Sequence, residues 1–359
     1  MKKINYISEI NLPSNSGYAH HVLKICDAFS NFKETKLFVL SQTVKFQSLK
    51  SNYLLKKKFQ IQKFSTKKKF NFFDRVSYAF HIKKNIEDQS IIISRSLISS
   101  MLLSIFNKKN IVELHHPPTG LTNLIFNIYR FFGLDKNLDY IFLHKNLKKE
   151  LKITKGLVLD DAVDYDDFRK IKKKNVRKFC YVGSLFRGKG IETIIKLAKK
   201  FPNEKFHVYG DKKTLENSMF ENKNIFRRNI LFYDFKSYRN IPEILKSSKF
   251  LLLPYSNQVL VNSDSLEVSN YMSPLKMFDY LAAGRIILAS NLNVYSHILK
   301  NNYNCFLTEK NEEKYWKELI QKALNRSNFK SLEKNATLTA KKYSWNNRVK
   351  KILQYIDEL

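Results

Sequence analysis

The stretch YVGSLFRGKGIETIIKLAKKF, residues 181–201, runs from a short apolar strand through a glycine-rich basic loop into a helix. The helix is predicted because apolar residues recur at the spacing of one buried face: Ile191, Ile194, Ile195, Ala198 and Phe201. Before the loop, Phe179–Val182 form the unbroken apolar run of a strand buried on both faces. Open α/β sheets bind ligands at such loops, because backbone N–H groups and the positive end of the helix dipole converge there. The stretch therefore predicts an anion site to which Lys189 and Arg187 add charge; the alternative is an ordinary turn with two solvated cations.

Outside this stretch, apolar strand-like runs alternate with helical patterns in two series, as in the βαβ units of parallel sheets. The runs lie at residues 4–7, 37–40, 91–93, 111–114 and 140–143, and then at 179–182, 206–209, 250–253 and 286–289. A chain of 359 residues with 43% apolar content can bury two cores of this kind. We expect two Rossmann-like domains, at 1–165 and 166–340, with a charged linker at 160–178 and a closing helix at 341–359.

A second informative stretch, SPLKMFDYLAAGRIILAS, begins at Ser273. Ser273 is a favourable N-cap, Pro274 suits the first helical position, and Gly284 suits the end of the helix. Lys276 falls in the first turn and Asp279 follows three residues later on the same face. A cation beside free N–H groups suits phosphate, and a carboxylate one turn deeper suits sugar hydroxyls. This pattern predicts a nucleotide-diphosphate site; the alternative is an ordinary capped helix with a surface ion pair.

The formal charge of +32 is extreme and is compatible with a nucleic-acid partner. However, the chain is also rich in Asn, Ile and Phe, which together with Lys are the residues that an AT-rich genome tends to encode, and no recognisable nucleic-acid motif is present. An anionic membrane surface is the better interpretation of the charge, and no nucleic acid is expected. The three cysteines lack metal-ligand spacing, and neither a signal peptide nor a membrane span is evident. We expect a cytoplasmic protein, or one peripheral to the inner face of the cell membrane.

Together the two stretches resemble glycosyltransferase family 4. Residues 183–190 match its pattern G-R/S-L-x-x-x-K-G, and residues 273–284 match S-P-L-K-hydrophobic-F-E-Y-M-A-A-G with Asp279 in place of the usual Glu. DDAVDYDDF resembles the family's D-G-V-D-x-x-x-F hinge, and YSWNNRVKKIL its closing helix. The resemblance covers nearly the whole chain. It implies the α/β GT-B fold, in which two Rossmann-like domains face each other across a cleft and a C-terminal helix crosses back to the N-terminal domain.

The N-terminal half carries two further resemblances. NSGYAHHV is similar to the family's glycine loop, with Gly17 and His21 at matching positions. VELHH is similar to its E-x-H segment, which gives Glu113 and His115, although His116 leaves the choice of histidine open.

The resemblance implies a role for each matching residue. Lys189 would bind the donor diphosphate and stabilise the charge of the leaving group. Lys276 would support the phosphates and Asp279 would hold the ribose. Gly17 would let the backbone approach the diphosphate from the facing domain, and His115 would contact the donor sugar. Four other residues complete the predicted donor site: Gly183, Ser184, Arg187 and Ser273.

Two departures from the family pattern concern the donor. Ser184 stands where many relatives have an arginine beside Lys189, so that either Arg187 supplies the second charge or the site has one fewer. The family's first glutamate would fall at Tyr271, and Glu267 is near but displaced. These differences leave the donor sugar and the base open.

The resemblance implies a retaining, hexosyltransferase-type enzyme that uses a UDP- or GDP-sugar. The acceptor would be a glycan or a lipid-linked sugar in the synthesis of lipopolysaccharide, capsule or glycolipid. No metal is expected: the Asp164-Tyr165-Asp166 segment resembles a metal-binding DxD motif but lies in a charge run without flanking strands. The alternatives are a catalytically silent GT-B binding or scaffold protein, and a nucleic-acid-binding protein.

Residues 54–75, LLKKKFQIQKFSTKKKFNFFDR, interleave eight basic residues with five phenylalanines. Basic side chains attract anionic headgroups, and aromatic rings can then enter the interface. The segment predicts docking on an anionic membrane, which would suit a lipid-linked acceptor. The alternative is a solvated basic loop whose phenylalanines lie in the core.

Overall fold

The computed structural model describes residues 2–41, 44–65, 70–174, 176–212, 228–261 and 266–359. The chain divides into two compact units. The N-terminal domain comprises Met1–Asp161 together with Trp345–Leu359, and the C-terminal domain comprises Ala162–Ser344. Among the described residues, none of the helices combines the length and the apolar content that a membrane span needs.

The N-terminal domain contains seven parallel strands: β1 (Ile4–Asn11), β2 (Thr35–Leu40), β3 (Gln60–Phe64), β4 (Ile91–Ser94), β5 (Asn110–Leu114), β6 (Leu138–Phe142) and β7 (Leu157–Val158). Their order in the sheet is β3-β2-β1-β4-β5-β6-β7. Since the first strand lies inside the sheet, the chain winds outward from it in both directions, as in a Rossmann-like fold. All five predicted runs of this half are strands.

In the described part of this domain, six helices connect the strands: α1 (Gly17–Phe29), α2 (Phe46–Tyr53), α3 (Phe72–Asn85), α4 (Leu97–Ile105), α5 (Gly120–Phe131) and α6 (Lys145–Glu150). Local sequence explains several of their starts. Ser16 caps α1 by accepting a hydrogen bond from the backbone N–H of Ala19. Asn71 and Asp74 form a reciprocal capping box at the start of α3. These caps fix where each helix begins after its strand.

The C-terminal domain contains a six-stranded parallel sheet in the order β10-β9-β8-β11-β14-β15 and a separate antiparallel pair. The strands are β8 (Phe179–Val182), β9 (Phe206–Tyr209), β10 (Ile230–Tyr233), β11 (Phe250–Leu253), β14 (Ile286–Ala289) and β15 (Phe306–Leu307), and the pair is β12 (Leu260–Val261) with β13 (Leu266–Glu267). The described helices are α7 (Tyr165–Arg169), α8 (Ile191–Lys200), α9 (Ile241–Lys246), α10 (Leu275–Ala283), α11 (Glu313–Asn325) and α12 (Lys330–Lys342). All four runs predicted in this half are strands.

The core of the C-terminal domain shows why these strands are apolar. Phe179 stacks on Phe206 of one neighbouring strand at 4.9 Å and on Phe250 of the other at 4.7 Å between ring centroids. All three rings are fully buried, and each contributes roughly 2 kcal/mol through burial. The predicted apolar face of α8 lies on this core. The sheet is therefore a rigid base for the loops at the carboxyl ends of its strands.

The last helix, α13 (Trp345–Glu358), belongs to the N-terminal domain, where it packs against α1. Val349 and Ile352, from its predicted apolar face, are buried. The same helix buries Arg348, whose guanidinium enters the polar cluster described below.

The start of the helix in the second motif differs from the prediction by one residue. Helix α10 begins at Leu275 with Pro274 as its N-cap, so the predicted N-cap at Ser273 is wrong by one residue; Gly284 ends the helix in the left-handed region, as predicted.

Four strands of the two main sheets were not predicted: β3, β7, β10 and β15. All four strands lie at the edges of their sheets, and β7 and β15 have only two residues each.

In the basic segment 54–75, several phenylalanines point inward. Phe59 is buried, and Phe64 and Phe70 pack around Tyr78 with ring centroids 5.2 and 6.2 Å away. Phe73, in contrast, is 80% exposed. Lys67, Lys68 and Lys69 lie outside the described residues. The alternative interpretation of this segment, phenylalanines in the core, thus applies to part of it, and its docking on a membrane stays a prediction.

Candidate active site

The basic loop of the C-terminal domain joins β8 to the start of α8. Gly183 opens the loop at φ 144° and Gly190 is the N-cap of α8 at φ 84°. A Cβ on Gly190 would lie 2.6 Å from the carbonyl carbon of Pro254, and one on Gly183 would lie 2.5 Å from Cε of Lys276. Both positions therefore require glycine, for conformation and for space. The loop is shaped so that the Lys276 side chain crosses its first residue.

Two lysines lie beside aromatic rings at this edge of the sheet. Lys276 Nζ donates a 2.7 Å hydrogen bond to the Tyr181 hydroxyl and lies 5.3 Å from the Tyr255 ring. Lys189, which is buried, places its Nζ 5.1 Å from the same Tyr255 ring. Among the residues that the structure describes, no carboxylate pairs with either ammonium. The two lysines thus come together from the starts of α8 and α10, without a carboxylate partner in the described part of the chain.

Burial sets the proton affinity of these lysines. It lowers the pKa of Lys189 to about 8. Burial also lowers the pKa of Lys276 well below its usual range, and the neighbouring charge of Lys189 lowers it further. A bound phosphate would reverse both effects, because it supplies the missing opposite charge. Perturbed lysines of this kind are typical of functional sites.

Asp279 lies one turn into α10, close behind Lys276 in the sequence. It is buried, and the Tyr238 hydroxyl donates to its Oδ1 at 3.2 Å. The adjacent Tyr280 hydroxyl accepts a 2.9 Å hydrogen bond from the backbone N–H of Val182 at the end of β8. This bond fastens the second motif to the first, so the two predicted motifs form one site.

The remaining predicted donor residues lie in these loops with different surroundings. Ser184 is exposed, and its carbonyl accepts a 2.7 Å hydrogen bond from the Tyr181 hydroxyl. Arg187 is also exposed, whereas Ser273 is buried. The cation whose charge lowers the pKa of Lys276 is Lys189. Glu267 is exposed in β13 and accepts from the Ser269 hydroxyl at 3.2 Å.

The N-terminal domain gathers a buried polar cluster around Glu113, at the carboxyl end of β5. The carboxylate accepts hydrogen bonds from Arg348 Nη2 at 2.7 Å, His115 Nε2 at 2.9 Å and the Tyr6 hydroxyl at 3.0 Å. His21 Nε2 lies 2.9 Å from the same carboxylate. Burial alone would raise the pKa of Glu113, but the charges and hydrogen bonds of these neighbours hold it well below its usual range. Glu113 is therefore an ionised hub that fixes the two histidines.

This hub also determines what His115 can do. Burial, together with the charge of Arg95, lowers the pKa of His115 to about 3, against the opposing effect of Glu113. The ring is therefore neutral, and because its Nε2–H is donated to a carboxylate, its Nδ1 carries a lone pair. His115 can accept a hydrogen bond from a hydroxyl group at Nδ1.

The structure distinguishes the two adjacent histidines and places the glycine loop. His116 is exposed and its Nδ1 lies 2.8 Å from the carbonyl of Pro117, so it takes no part in the Glu113 cluster. Gly17 is the exposed first residue of α1. It follows β1 as His115 follows β5, so both residues lie at the carboxyl edge of the N-terminal sheet.

One group of described residues has the composition of a metal site. Ligand atoms of His21, His115 and Asp161 lie within 4.8 Å of one another. However, His21 Nδ1 already lies 2.6 Å from Asp161 and both histidines face Glu113. These side chains therefore already interact with one another and with Glu113. Asp166, of the predicted DxD resemblance, is largely exposed and pairs with Arg169 at 3.5 Å.

Several residues of these clusters have no local signal in the sequence. Tyr181 and Tyr255 line the lysine site, but tyrosines in apolar runs are equally typical of a core. Arg348 reaches Glu113 from 235 positions away, and Asp161 reaches His21 from 140. Their positions depend on how α13 and the end of the N-terminal domain pack, which a residue pattern does not encode.

Comparison with known proteins identifies the class of this enzyme. The family model "Glycosyl transferases group 1" matches residues 164–345. The chain belongs to the glycosyl transferases group 1 family and is a glycosyltransferase. No curated protein matches the chain significantly by sequence.

Solved structures of glycosyltransferases match almost the whole chain. Alr3699/HepE of Anabaena in complex with UDP and glucose has a TM-score of 0.73 at 12% identity, covering 99% of this chain and 100% of that one. A glycosyltransferase from Rickettsia africae has a TM-score of 0.75 at 15% identity, with 99% and 98% covered. WaaG, a glycosyltransferase involved in lipopolysaccharide biosynthesis, has a TM-score of 0.65 at 14% identity, with 97% and 99% covered. At such identities the likeness concerns the fold, and it confirms the predicted GT-B class.

Proposed function

We propose that this glycosyltransferase is a retaining member of family 4 that transfers a sugar from a UDP- or GDP-sugar to an acceptor of a cell-surface glycan pathway. The observation that carries the proposal is the pair Lys189, just before α8, and Lys276, in the first turn of α10, which both lie beside Tyr255 without a carboxylate partner among the described residues. Two neighbouring ammonium groups, each at the N-terminus of a helix, suit a diphosphate.

The chemistry follows from where charge develops in sugar transfer. As the glycosidic bond breaks, negative charge grows on the departing diphosphate, and a preorganised cation stabilises that charge most when water is excluded. Buried Lys189 meets this condition. Lys276, from the motif at residues 273–284, adds a second charge, and Asp279 accepts hydrogen bonds from the ribose hydroxyls. The site has no need of a metal ion for this step.

The N-terminal domain would contribute recognition of the sugar. His115 offers a neutral lone pair at Nδ1, and Glu113 fixes the ring in that tautomer. A sugar hydroxyl that donates to this Nδ1 would be recognised by its position on the sugar, because the neutral ring carries no charge. Gly17 leaves the first turn of α1 open for a phosphate.

The comparisons support the donor class and one range of acceptors. The Anabaena structure contains UDP and glucose, and WaaG acts in lipopolysaccharide biosynthesis. We propose lipopolysaccharide, capsule or glycolipid synthesis as the pathway of the present enzyme, in the cytoplasm or at the inner face of the membrane.

A thermal-shift panel of UDP, GDP, ADP and their sugars tests the donor, because a ligand that binds the native state raises its apparent stability. The anomeric configuration of the transferred sugar, read by NMR, tests retention. Binding of a nucleotide sugar without hydrolysis or transfer would favour the alternative of a catalytically silent binding protein. Ser184 and Tyr271, which stand where the family pattern has an arginine and a glutamate, are the residues that favour this alternative. Inversion of the anomer would contradict family 4.

A further inference from the structure

Helix α5 of the N-terminal domain exposes an apolar face to solvent. Its exposed residues, with those that follow the helix, are Phe131 (86%), Phe132 (68%), Leu121 (61%), Leu124 (57%), Ile128 (48%) and Leu134 (44%). At about 100° per residue, the members from 121 to 132 fall within an arc of about 100°. Phe126 and Tyr129, on another side of the helix, are buried and attach it to the domain. We call these six exposed residues the α5 apolar surface.

This surface continues onto the neighbouring helix. The Ser104 hydroxyl of α4 donates to the carbonyl of Leu134 at 3.0 Å, which brings the exposed Ile105 to the edge of the α5 apolar surface. Beyond it, Phe106 packs against the half-exposed Phe80 at 5.3 Å between ring centroids. Single exposed apolar residues are ordinary, but a contiguous set of this size indicates an interaction surface.

Cations border the α5 apolar surface. Arg130 donates from Nη1 to the carbonyl of Leu151 at 2.8 Å and from Nη2 to that of Lys152 at 3.3 Å, which holds the exposed Lys152 beside the helix. Lys155 Nζ donates to the carbonyl of Asp135 at 3.0 Å, next to Leu134. On the far side, Lys83 Nζ lies 3.9 Å from the centre of the Phe106 ring. Residues 130–155 contain seven basic and three acidic residues in all.

We propose that the α5 apolar surface docks this protein on an anionic lipid bilayer, with α5 lying in the interface and its apolar side chains inserted among the lipids. An apolar face bordered by basic residues is the pattern of helices that bind in the plane of a membrane. A second copy of the chain fits less well, since its border would be equally basic and the whole chain carries +32. A nucleic acid would engage the cations and leave the apolar side chains in water.

The docking surface is connected directly to the candidate active site. His115 follows β5, and α5 begins five residues later at Gly120. A helix held at the lipid interface would therefore keep the His115 loop close to the membrane, where a lipid-linked acceptor presents its sugar. That choice of acceptor rests on the proposed function, whereas the docking itself does not.

The test is cosedimentation of the full-length protein with vesicles of phosphatidylcholine alone and of equal parts phosphatidylglycerol and phosphatidylcholine. We expect binding to the anionic vesicles only. The double variant Phe131→Ser/Phe132→Ser should reduce it by at least about tenfold, as should Lys152→Glu/Lys155→Glu. Leu338→Ser, which removes a 40% exposed leucine from the C-terminal domain, is the matched control and should bind like wild type. Phe73→Ser separates this surface from segment 54–75 and should have a smaller effect than the Phe131/Phe132 pair.

Three outcomes would overturn the proposal: wild type that ignores anionic vesicles, a Phe131→Ser/Phe132→Ser variant that binds them normally, or a dimer in sedimentation velocity that this variant dissolves. The last outcome would assign the surface to a second copy. The thermal shift produced by UDP or GDP is measured on the same variants. An unchanged shift shows that they are folded, and it keeps a failure of docking distinct from a failure of the proposed nucleotide site.

Discussion

Replacement of Gly183 by alanine should disable the diphosphate site while the domain stays folded. The added Cβ would lie 2.5 Å from Cε of Lys276 and closer still to its Nζ, whereas ordinary carbon contacts need about 3.5 Å or more. The lysine is the flexible partner, so it must retreat by about 1 Å and give up its 2.7 Å hydrogen bond to Tyr181. A displacement of this size at a reacting group can cost about a hundredfold in rate.

The same change also has a stability cost. Alanine in the left-handed region near φ 60° costs about 1–2 kcal/mol, and at φ 144°, the value of Gly183, an L side chain is more strained and costs about 1–3 kcal/mol. Gly133→Ala is the matched control, because Gly133 has φ 64° but nothing within 4 Å of an added Cβ. Both variants should lose free energy of unfolding in urea, and Gly183→Ala should lose more of it than Gly133→Ala. Only Gly183→Ala should lose nucleotide affinity in calorimetry, by tenfold or more, and transfer activity with it. Wild-type affinity in Gly183→Ala, or an equal loss in Gly133→Ala, would refute this account of Lys276.

Three further predictions concern protons and metals. Burial lowers the pKa of Lys189 to about 8, and a bound diphosphate would raise it. Diphosphate binding should therefore take up protons near pH 8, and the affinity should fall by up to about tenfold per pH unit above pH 8. Calorimetry in buffers of different ionisation enthalpy measures this proton uptake, and the absence of uptake would show that Lys189 does not contact the phosphate. His115 has a folded pKa of about 3, below the unfolded value of 6.5, so its contribution to stability is complete above pH 6.5 and is lost as the pH falls towards 3. By pH 5 the loss is about 2 kcal/mol, which urea unfolding should detect in wild type and not in His115→Gln; equal acid sensitivity in both proteins would contradict the buried neutral ring. EDTA should leave the transfer rate unchanged, and a loss that manganese restores would point to His21, His115 and Asp161 as ligands.

The sequence predicts the strands that are buried on both faces, and it does not predict the strands at the sheet edges. Residues 179–182 and 250–253 are unbroken apolar runs because each strand has sheet on both sides and helices above and below. In contrast, β3 reads QIQKF and β7 has only two residues, so neither carries that signal. The missed strand β3 also explains part of the interpretation of segment 54–75, since it turns Phe64 towards Tyr78.

The candidate site shows the same division between local and long-range information. Lys189 and Lys276 could be predicted together, because each sits at a helix start in a recognisable motif. Their common neighbour Tyr255 could not be, since its role depends on how the loop after β11 packs against both. The exposed face of α5 could not be predicted either. A run of apolar residues in a sequence indicates a buried face, and only the structure shows that this face is exposed.

In the proposed mechanism, Lys189 stabilises the departing diphosphate of a nucleotide sugar. Its most direct test is release of UDP or GDP from the corresponding sugar nucleotides by purified wild-type protein and by Lys189→Ala, with folding of the variant verified by its unfolding transition. We predict release by wild type and a loss of about a hundredfold or more in the variant, as expected when one preorganised electrostatic group is removed. A folded Lys189→Ala protein that releases nucleotide at the wild-type rate would contradict the claim.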